Sequence, residues 1–374
     1  MGLLLPLALF TLALCYGTVS PYQVALPPMN CNDSNVLAVA GFALQDINRD
    51  RKDGYVLSLN RVNNAEEHEQ ASPGSMFYLT LDVLETDCHV LSKKAWKDCQ
   101  VRKLHESVYG QCKVMFYQDK PHRFLYLPAY SCILRPVSLR KILRMCPDCP
   151  IPSPTDSSDP RVLEAVTETL AKYNNKSTSK QYSLVKVTRA YSQWVFGPSY
   201  FVEYLVKESP CIKSQADNCS LPSSNSEPVG LCKGSLTRVD TEKLVTVTCD
   251  LFETQAPAPE GENSAVNEEP ANLPKVQGPQ QKNTSLTDSL SKAGTRGSVQ
   301  YLPELDDEKP NNSPAFPVQL DITPDLRDKS TDISYLVLGP RKDHVVVLSF
   351  PKQRNHFAQC PGPAQEDSPF LLPP

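Results

Sequence analysis

The sequence predicts an α+β protein: two tandem copies of one domain, each a single helix packed on an antiparallel sheet, followed by a largely disordered C-terminal tail. Three observations lead there. First, the chain repeats itself. "NVLAVAGFALQDIN" (35–48) lies 126 residues before "RVLEAVTETLAKYN" (161–174), and "GYVLSLNRVNNA" (54–65) matches "QYSLVKVTRA" (181–190). "GSMFYLTLDVLETDC" (74–88) matches "GPSYFVEYLVKESPC" (197–211), and "YGQCK" (109–113) matches "VGLCK" (229–233). So long a period reads as a duplicated domain, not a solenoid. Second, within each copy a helical apolar stripe gives way to strand-like alternation. Third, after Cys249 the composition turns to Pro, Glu, Asn, Gln and Ser.

Taken in order, residues 1–18 read as a secretory signal peptide, which makes the mature protein extracellular. "LLLPLALFTLALC" is apolar but too short to span a bilayer, and the small residues Gly17 and Ser20 follow it. No other stretch is long enough to be a transmembrane helix. The first domain is assigned to 28–144. Its helix places Val36, Val39, Ala40, Ala43, Leu44 and Ile47 on one face. Residues 145–158 form a linker that contains "CPDCP".

The second domain is assigned to 159–253. Its helix draws the same stripe with Val162, Ala165, Val166, Thr169, Leu170 and Tyr173. Asp159 can accept from the first unpaired N–H groups, and Pro160 suits the first helical position. In the strands, Leu79, Leu81 and Val83 alternate with Thr80 and Asp82, while Val202, Tyr204 and Val206 alternate with Glu203 and Lys207. One face of each sheet, of about four or five strands, is thus free to pack on its helix. Residues 254–374 form the Pro-rich tail. Within it, 254–316 cannot bury enough apolar surface to offset its ordering entropy, so it is expected to be disordered and dispensable. "DISYLVLG" (332–339) and "HVVVLSF" (344–350) look like strands.

The chain has 13 cysteines, and Cys15 leaves with the signal peptide. An even count remains, which in a secreted chain reads as a full disulfide framework. Cys88, Cys99, Cys112 and Cys132 correspond to Cys211, Cys219, Cys232 and Cys249. If these pair within their own copies, and Cys146 pairs with Cys149, then Cys31 is left for Cys360. Sequons at Asn32, Asn175, Asn218, Asn283 and Asn311 agree with secretion; Asn218 is the weakest, because Cys219 occupies its middle position.

A helix followed by a sheet, with two disulfides in the second half, resembles a cystatin. Two such units with "CPDCP" between them and a Pro-rich tail resemble the fetuins. The stretches "NDSNVLAVAGFALQDINRDRKDGYVLSLNRVN", "FYLTLDVLETDCHVL", "QYSLVKVTRAYSQWVFGPSYFVEYLVKESPC" and "GSVQYLPELDD" carry that resemblance over nearly the whole mature chain. It implies a monomeric, liver-derived plasma glycoprotein. The expected bridges are Cys31–Cys360, Cys88–Cys99, Cys112–Cys132, Cys146–Cys149, Cys211–Cys219 and Cys232–Cys249. It also implies inhibition of astacin-type zinc metallopeptidases, such as the egg enzyme ovastacin, and hence a role in fertilisation.

"CPDCP" suits that role physically. Pro147 falls at the second position of a four-residue turn, which brings Cys146 and Cys149 within disulfide range. Pro150 then restrains Cys149 toward extended geometry. Asp148 is left at the tip of a small closed ring, where it loses little entropy on binding. A catalytic zinc keeps its fourth position open, and a rigid carboxylate could take it. A redox pair, a structural zinc site and a plain structural staple are the competing readings of the same five residues. The first expects a βαβ setting, and the second expects further ligands at matching spacing.

Gln193, Trp194, Val195, Phe196 and Gly197 read Q-x-V-x-G, the hairpin by which cystatins enter cysteine-protease clefts. Trp194 and Phe196 are suitable interface anchors, although both could simply pack in the sheet. The pattern has gaps: copy one reads "QASPG" (70–74), with Ser72 in place of valine, and neither copy has the Pro-Trp dipeptide of a second cystatin loop. The hairpin is therefore read as support beside Asp148. Cysteine-protease inhibition and calcium-mineral binding stand as alternatives.

No enzyme is expected. H-E-x-x-H, G-x-S-x-G and P-loop patterns are missing, and His68, His89, His105, His122, His344 and His356 are scattered. No cofactor is implied, and the protein carries no metal of its own. "ELDDE" (304–308) reads as a solvated tail. A net charge of −4 gives no electrostatic case for nucleic acid.

Overall fold

The computed structural model describes residues 26–70, 74–149, 151–177, 180–209, 227–252, 296–304, 347–348, 350–351 and 358–364. Among them are two five-stranded sheets, each with a long helix on one face.

In the first unit the Asp33 carboxylate accepts from the N–H groups of Asn35 and Val36 and so starts helix α1, Ser34–Asp50. A cap of this kind is worth about 1 kcal/mol. The stripe from Val36 to Ile47 is fully buried against Phe77, Leu79, Leu81, Val83, Val114 and Phe116. These belong to β2 (Ser75–His89) and β3 (Val108–Asp119), flanked by β1 (Tyr55–Glu69) and β4 (Phe124–Pro136). Each such side chain stabilises the fold by about 1.5–3 kcal/mol.

The second unit follows the same plan. Asp159 accepts from Arg161 N–H, and Pro160 opens helix α3, Pro160–Lys176; the short helix α2, Leu139–Met145, precedes it. Val162, Ala165, Val166 and Thr169 face Val202, Tyr204, Val206 and Leu236. The strands are β5 (Ser153–Pro154), β6 (Tyr182–Trp194), β7 (Pro198–Glu208), β8 (Gly230–Val239) and β9 (Glu242–Leu251), in sheet order. Cys112–Cys132 and Cys232–Cys249 bridge directly opposed strand positions, with Cα atoms 4.0 Å apart in both units. Cys88–Cys99 and Cys31–Cys360 are also bridged. Cys211 and Cys219 lie outside the described residues, as do residues 1–18.

Two expectations need correction. Composition predicts disorder over 254–316, yet Gly297–Tyr301 forms strand β10, parallel to β4. Composition over a long window hides five residues that gain order by joining an existing edge, with Val299 packed against the first core. The second correction concerns "HVVVLSF", whose described residues Val347, Leu348 and Phe350 are in no strand. Leu348 N–H donates to the Tyr78 hydroxyl at 2.7 Å, so a side chain replaces the ladder. "DISYLVLG" lies outside the described residues. The second face of β2 is enclosed as well: Thr80 and Asp82 are buried, and Met76, Tyr78 and Met115 pack with Phe350 on the face away from α1.

The outer face of the second sheet meets the first unit. Leu205 and Leu231 pack on Tyr55, with Leu91 and Phe252 at the margin. Within this contact Arg102 pairs with Glu203, and Arg189 with Glu85 at 2.7 Å. Tyr55 donates its hydroxyl to Glu203, and the Arg102 guanidinium lies 4.1 Å from the Tyr55 ring centre. These charges cross between units in a largely dry setting, which fixes how one sheet sits against the other.

Candidate functional site

A seven-residue helix, α2 (Leu139–Met145), leads into "CPDCP". Ser138 caps it by accepting from Lys141 N–H at 3.3 Å. Cys146 ends it, its N–H still bonded to Ile142 O at 2.8 Å. The chain then reverses at once: Cys149 N–H donates to Cys146 O at 3.1 Å. The two Cα atoms are 5.2 Å apart and the disulfide closes the ring. Cys149 packs at the edge of a cluster of Leu84, Tyr109, Ile133, Val137 and Ile142, so the base of the ring is held. Pro147 and Asp148 are exposed at its tip. Pro150 lies outside the described residues.

The linker is stitched to the second sheet just beyond the ring. Ser153 pairs with Ser192 and Pro154 with Tyr191, antiparallel, and Thr155 N–H donates to Ala190 O at 3.1 Å. Antiparallel pairing sets a direction. The chain reaches Ser153 from the end of the sheet toward which β6 runs from Ser192 to Trp194. Five residues span at most about 17 Å. Asp148 is therefore tethered near the β6–β7 hairpin, at the same end of the sheet.

That hairpin carries the Q-x-V-x-G residues. Gln193 is half-buried and pairs with Ser199. Trp194 is 76% exposed, Val195 43% and Phe196 82%. Two large aromatic side chains left in solvent have no packing role in this sheet. Gly197 is buried, and a Cβ there would stand 2.0 Å from Arg238 O, so its value is the close approach of a neighbouring strand.

The neighbour is the β8–β9 hairpin, which the sequence reading did not single out. Its turn is Asp240 and Thr241, with Asp240 in the left-handed region at φ 48°. Asp tolerates that conformation, and "LTRVDTEKLV" (236–245) carries the signal as alternation broken by an Asp turn. Ser199 Oγ and Thr237 Oγ1 join the two hairpins at 2.8 Å. Arg238 pairs with Glu164, and Lys243 pairs with Glu164 and Glu168 at 2.9 and 2.6 Å, tying the hairpin to α3. The aromatic hairpin and the Asp240 hairpin thus form one rim, with the disulfide ring tethered at the same end of the sheet.

Asn32 and Asn175 are exposed. Asn32 precedes the α1 cap, and Asn175 sits in the last turn of α3. Asn218, Asn283 and Asn311 lie outside the described residues. Among the described residues no group of three or more His, Cys, Asp or Glu side chains is placed to hold a metal ion, and no helix is long and apolar enough to cross a membrane.

Comparison with known proteins agrees with this duplicated architecture. The cystatin domain family matches residues 25–121 and 150–239. Human (Homo sapiens) fetuin-B is 66% identical over 100% of both chains. Among solved structures, mouse fetuin-B in complex with crayfish astacin matches at 53% identity and a TM-score of 0.71, covering 93% of this chain and 98% of that one. The inhibitory complex of human meprin beta with mouse fetuin-B matches at 53% identity and a TM-score of 0.72, covering 91% and 98%. Domain duplication, the linker ring and full-length similarity together show that the chain belongs to the fetuin-B family of cystatin-domain proteins.

Proposed function

We propose that this chain is a secreted inhibitor of astacin-type zinc metallopeptidases and that Asp148 is its zinc-facing group. The observation that carries this is the placement of Asp148: an exposed carboxylate on a closed ring whose base is packed and whose exit is pinned to the hairpin strand. Such a group can enter a cleft and replace the water on an open zinc position with little ordering cost. Trp194 and Phe196 supply apolar anchors beside it, of the kind that dominate interfaces. The solved complexes of mouse fetuin-B with astacin and with meprin beta support an astacin-type target. An egg peptidase such as ovastacin, and with it a role in fertilisation, follows from the family resemblance. The protein acts by binding and not by catalysis.

Cysteine-protease inhibition is the second reading, favoured by the exposed residues 193–197. The test is a peptidase panel. Parent protein and Asp148→Ala are measured against astacin-type zinc enzymes and papain-like enzymes. The proposal expects strong inhibition of the first class only, lost by at least about tenfold in the variant, the scale of one charge-assisted contact. Inhibition of papain-like enzymes that ignores Asp148 would instead support the second reading.

A further inference from the structure

We infer that residues 297–304, deep in the Pro-rich tail, position the Asp148 ring by holding helix α2, which leads into it; this rests on the zinc-facing reading of Asp148. The segment is firmly seated. β10 pairs in parallel with β4, from Gly297 opposite Tyr130 to Tyr301 opposite Leu134. A Cβ at Gly297 would stand 2.1 Å from Tyr130 O, so this approach needs glycine. Arg296 N–H donates to the Asp50 carboxylate at 3.0 Å, and the Tyr301 hydroxyl to Glu85 at 3.0 Å. Both ends of the strand are therefore fixed before the chain reaches α2.

The next residues reach α2. Leu302 N–H continues the ladder to Leu134 O at 2.8 Å. Its side chain joins the cluster that contains Ile142 of α2 and Cys149 of the ring. The Glu304 carboxylate, 165 residues along the chain, accepts from Leu139 N–H at the first residue of α2. The acid read as part of a solvated tail is thus a helix cap.

Alone, α2 has little to hold it. A helix of seven residues is far below the length that is stable in water. Ile142 is its buried side chain, while Leu139, Leu143 and Met145 are exposed. Leu302 beneath it and Glu304 at its start fix the rod on which the ring is mounted. Leu302 and Glu304 are positioning residues: they act on the peptidase only through the direction in which Asp148 points.

A double-mutant cycle tests this. Affinity for the catalytic domain of an astacin-type peptidase is measured for Leu302→Ala/Glu304→Gln in the parent chain and in the Asp148→Ala chain. Leu302 is only half-buried and Glu304 exposed, so both chains should fold. The tail change should weaken binding about fivefold in the parent and by nothing further once Asp148 is gone, because coupled groups are not additive. Equal losses in both backgrounds would mean that the tail supports something other than the ring. Full affinity of the tail variant, with Asp148→Ala still impaired, would overturn the inference alone. Full affinity of Asp148→Ala would overturn the zinc-facing reading and this inference with it.

Discussion

Arg102 and Glu203, from opposite units, form a two-pronged ion pair: Nη1 donates to Oε1 at 3.0 Å and Nη2 to Oε2 at 2.9 Å, with both side chains almost fully buried. Removing one partner strands the other charge in a dry interface, which typically costs about 3–5 kcal/mol, whereas replacing the pair by apolar groups is often neutral. Arg102→Met should therefore destabilise the contact between units more than Arg102→Met with Glu203→Leu. In the double variant Glu85 keeps Arg189 as its partner. Hydrogen exchange of β7 and β8 reports the contact. Equal protection in the single variant and the parent would show that water already reaches the pair.

Acid should open the same interface in two stages. Burial holds His89 down to about 4, against the pull of Asp53. Its ring packs edge-on to Tyr55 and stacks on Phe252, and it stays neutral there. An unfolded histidine titrates near 6.5, so its contribution is present above about pH 6.5 and is lost as pH falls toward 4. Glu203 behaves differently. Burial pushes its carboxyl up, but the hydrogen bonds and charge of Arg102, with Tyr55 and Arg189, outweigh burial and hold it down at about 2. Its contribution is present above about pH 4.5 and is lost as pH falls toward 2. Thermal unfolding against pH should show both slopes; His89→Gln should remove the first and Glu203→Gln the second.

Much of the fold is legible because it is periodic. The stripes of α1 and α3 and the Asp159–Pro160 start are local signals, and the structure uses them as written. What escaped the sequence depends on partners far along the chain. Gly297–Tyr301 has no stripe and no run of apolar residues; it becomes a strand only because β4 offers an unpaired edge. Helix α2 is likewise invisible, since seven residues with one buried side chain carry no period. At the site, the turn of Cys146, Pro147, Asp148 and Cys149 was readable from proline and disulfide geometry. Its direction was not, because that depends on distant partners on both sides of the ring, the pairing of Ser153 with Ser192 and the cluster beneath Ile142.

Gly197→Ala should damage the rim without removing a contact group. The added methyl meets Arg238 O, a backbone atom that cannot rotate away, so the aromatic hairpin and the Asp240 hairpin must separate. Overpacking of this kind costs about 1–3 kcal/mol. Trp194→Ala, by contrast, removes a solvated side chain and should leave the melting temperature within about a degree of the parent, as exposed substitutions do. Both should weaken peptidase binding. The expected signature is a loss of stability in the glycine variant only. A tryptophan variant that binds as the parent does would remove the hairpin from the interface.

The ring itself makes the sharpest prediction, because charge and rigidity can be changed separately. Asp148→Asn keeps the turn and the shape but offers a neutral amide, a poor ligand for zinc. Replacing Cys146 and Cys149 by Ser keeps the carboxylate but opens the ring, so Asp148 explores more orientations and must be ordered on binding. The turn hydrogen bond from residue 149 N–H to residue 146 O would still restrain it. The asparagine variant should thus lose more affinity than the serine pair. The two losses should also differ in kind. A wandering carboxylate still fills the zinc position once ordered, so the serine pair should slow association most. The amide should instead speed dissociation, because the contact itself is weaker. Surface-binding kinetics separate the two. If the serine pair proved the more damaging, the ring would matter as a shape against the cleft wall and not as the mount of a metal ligand.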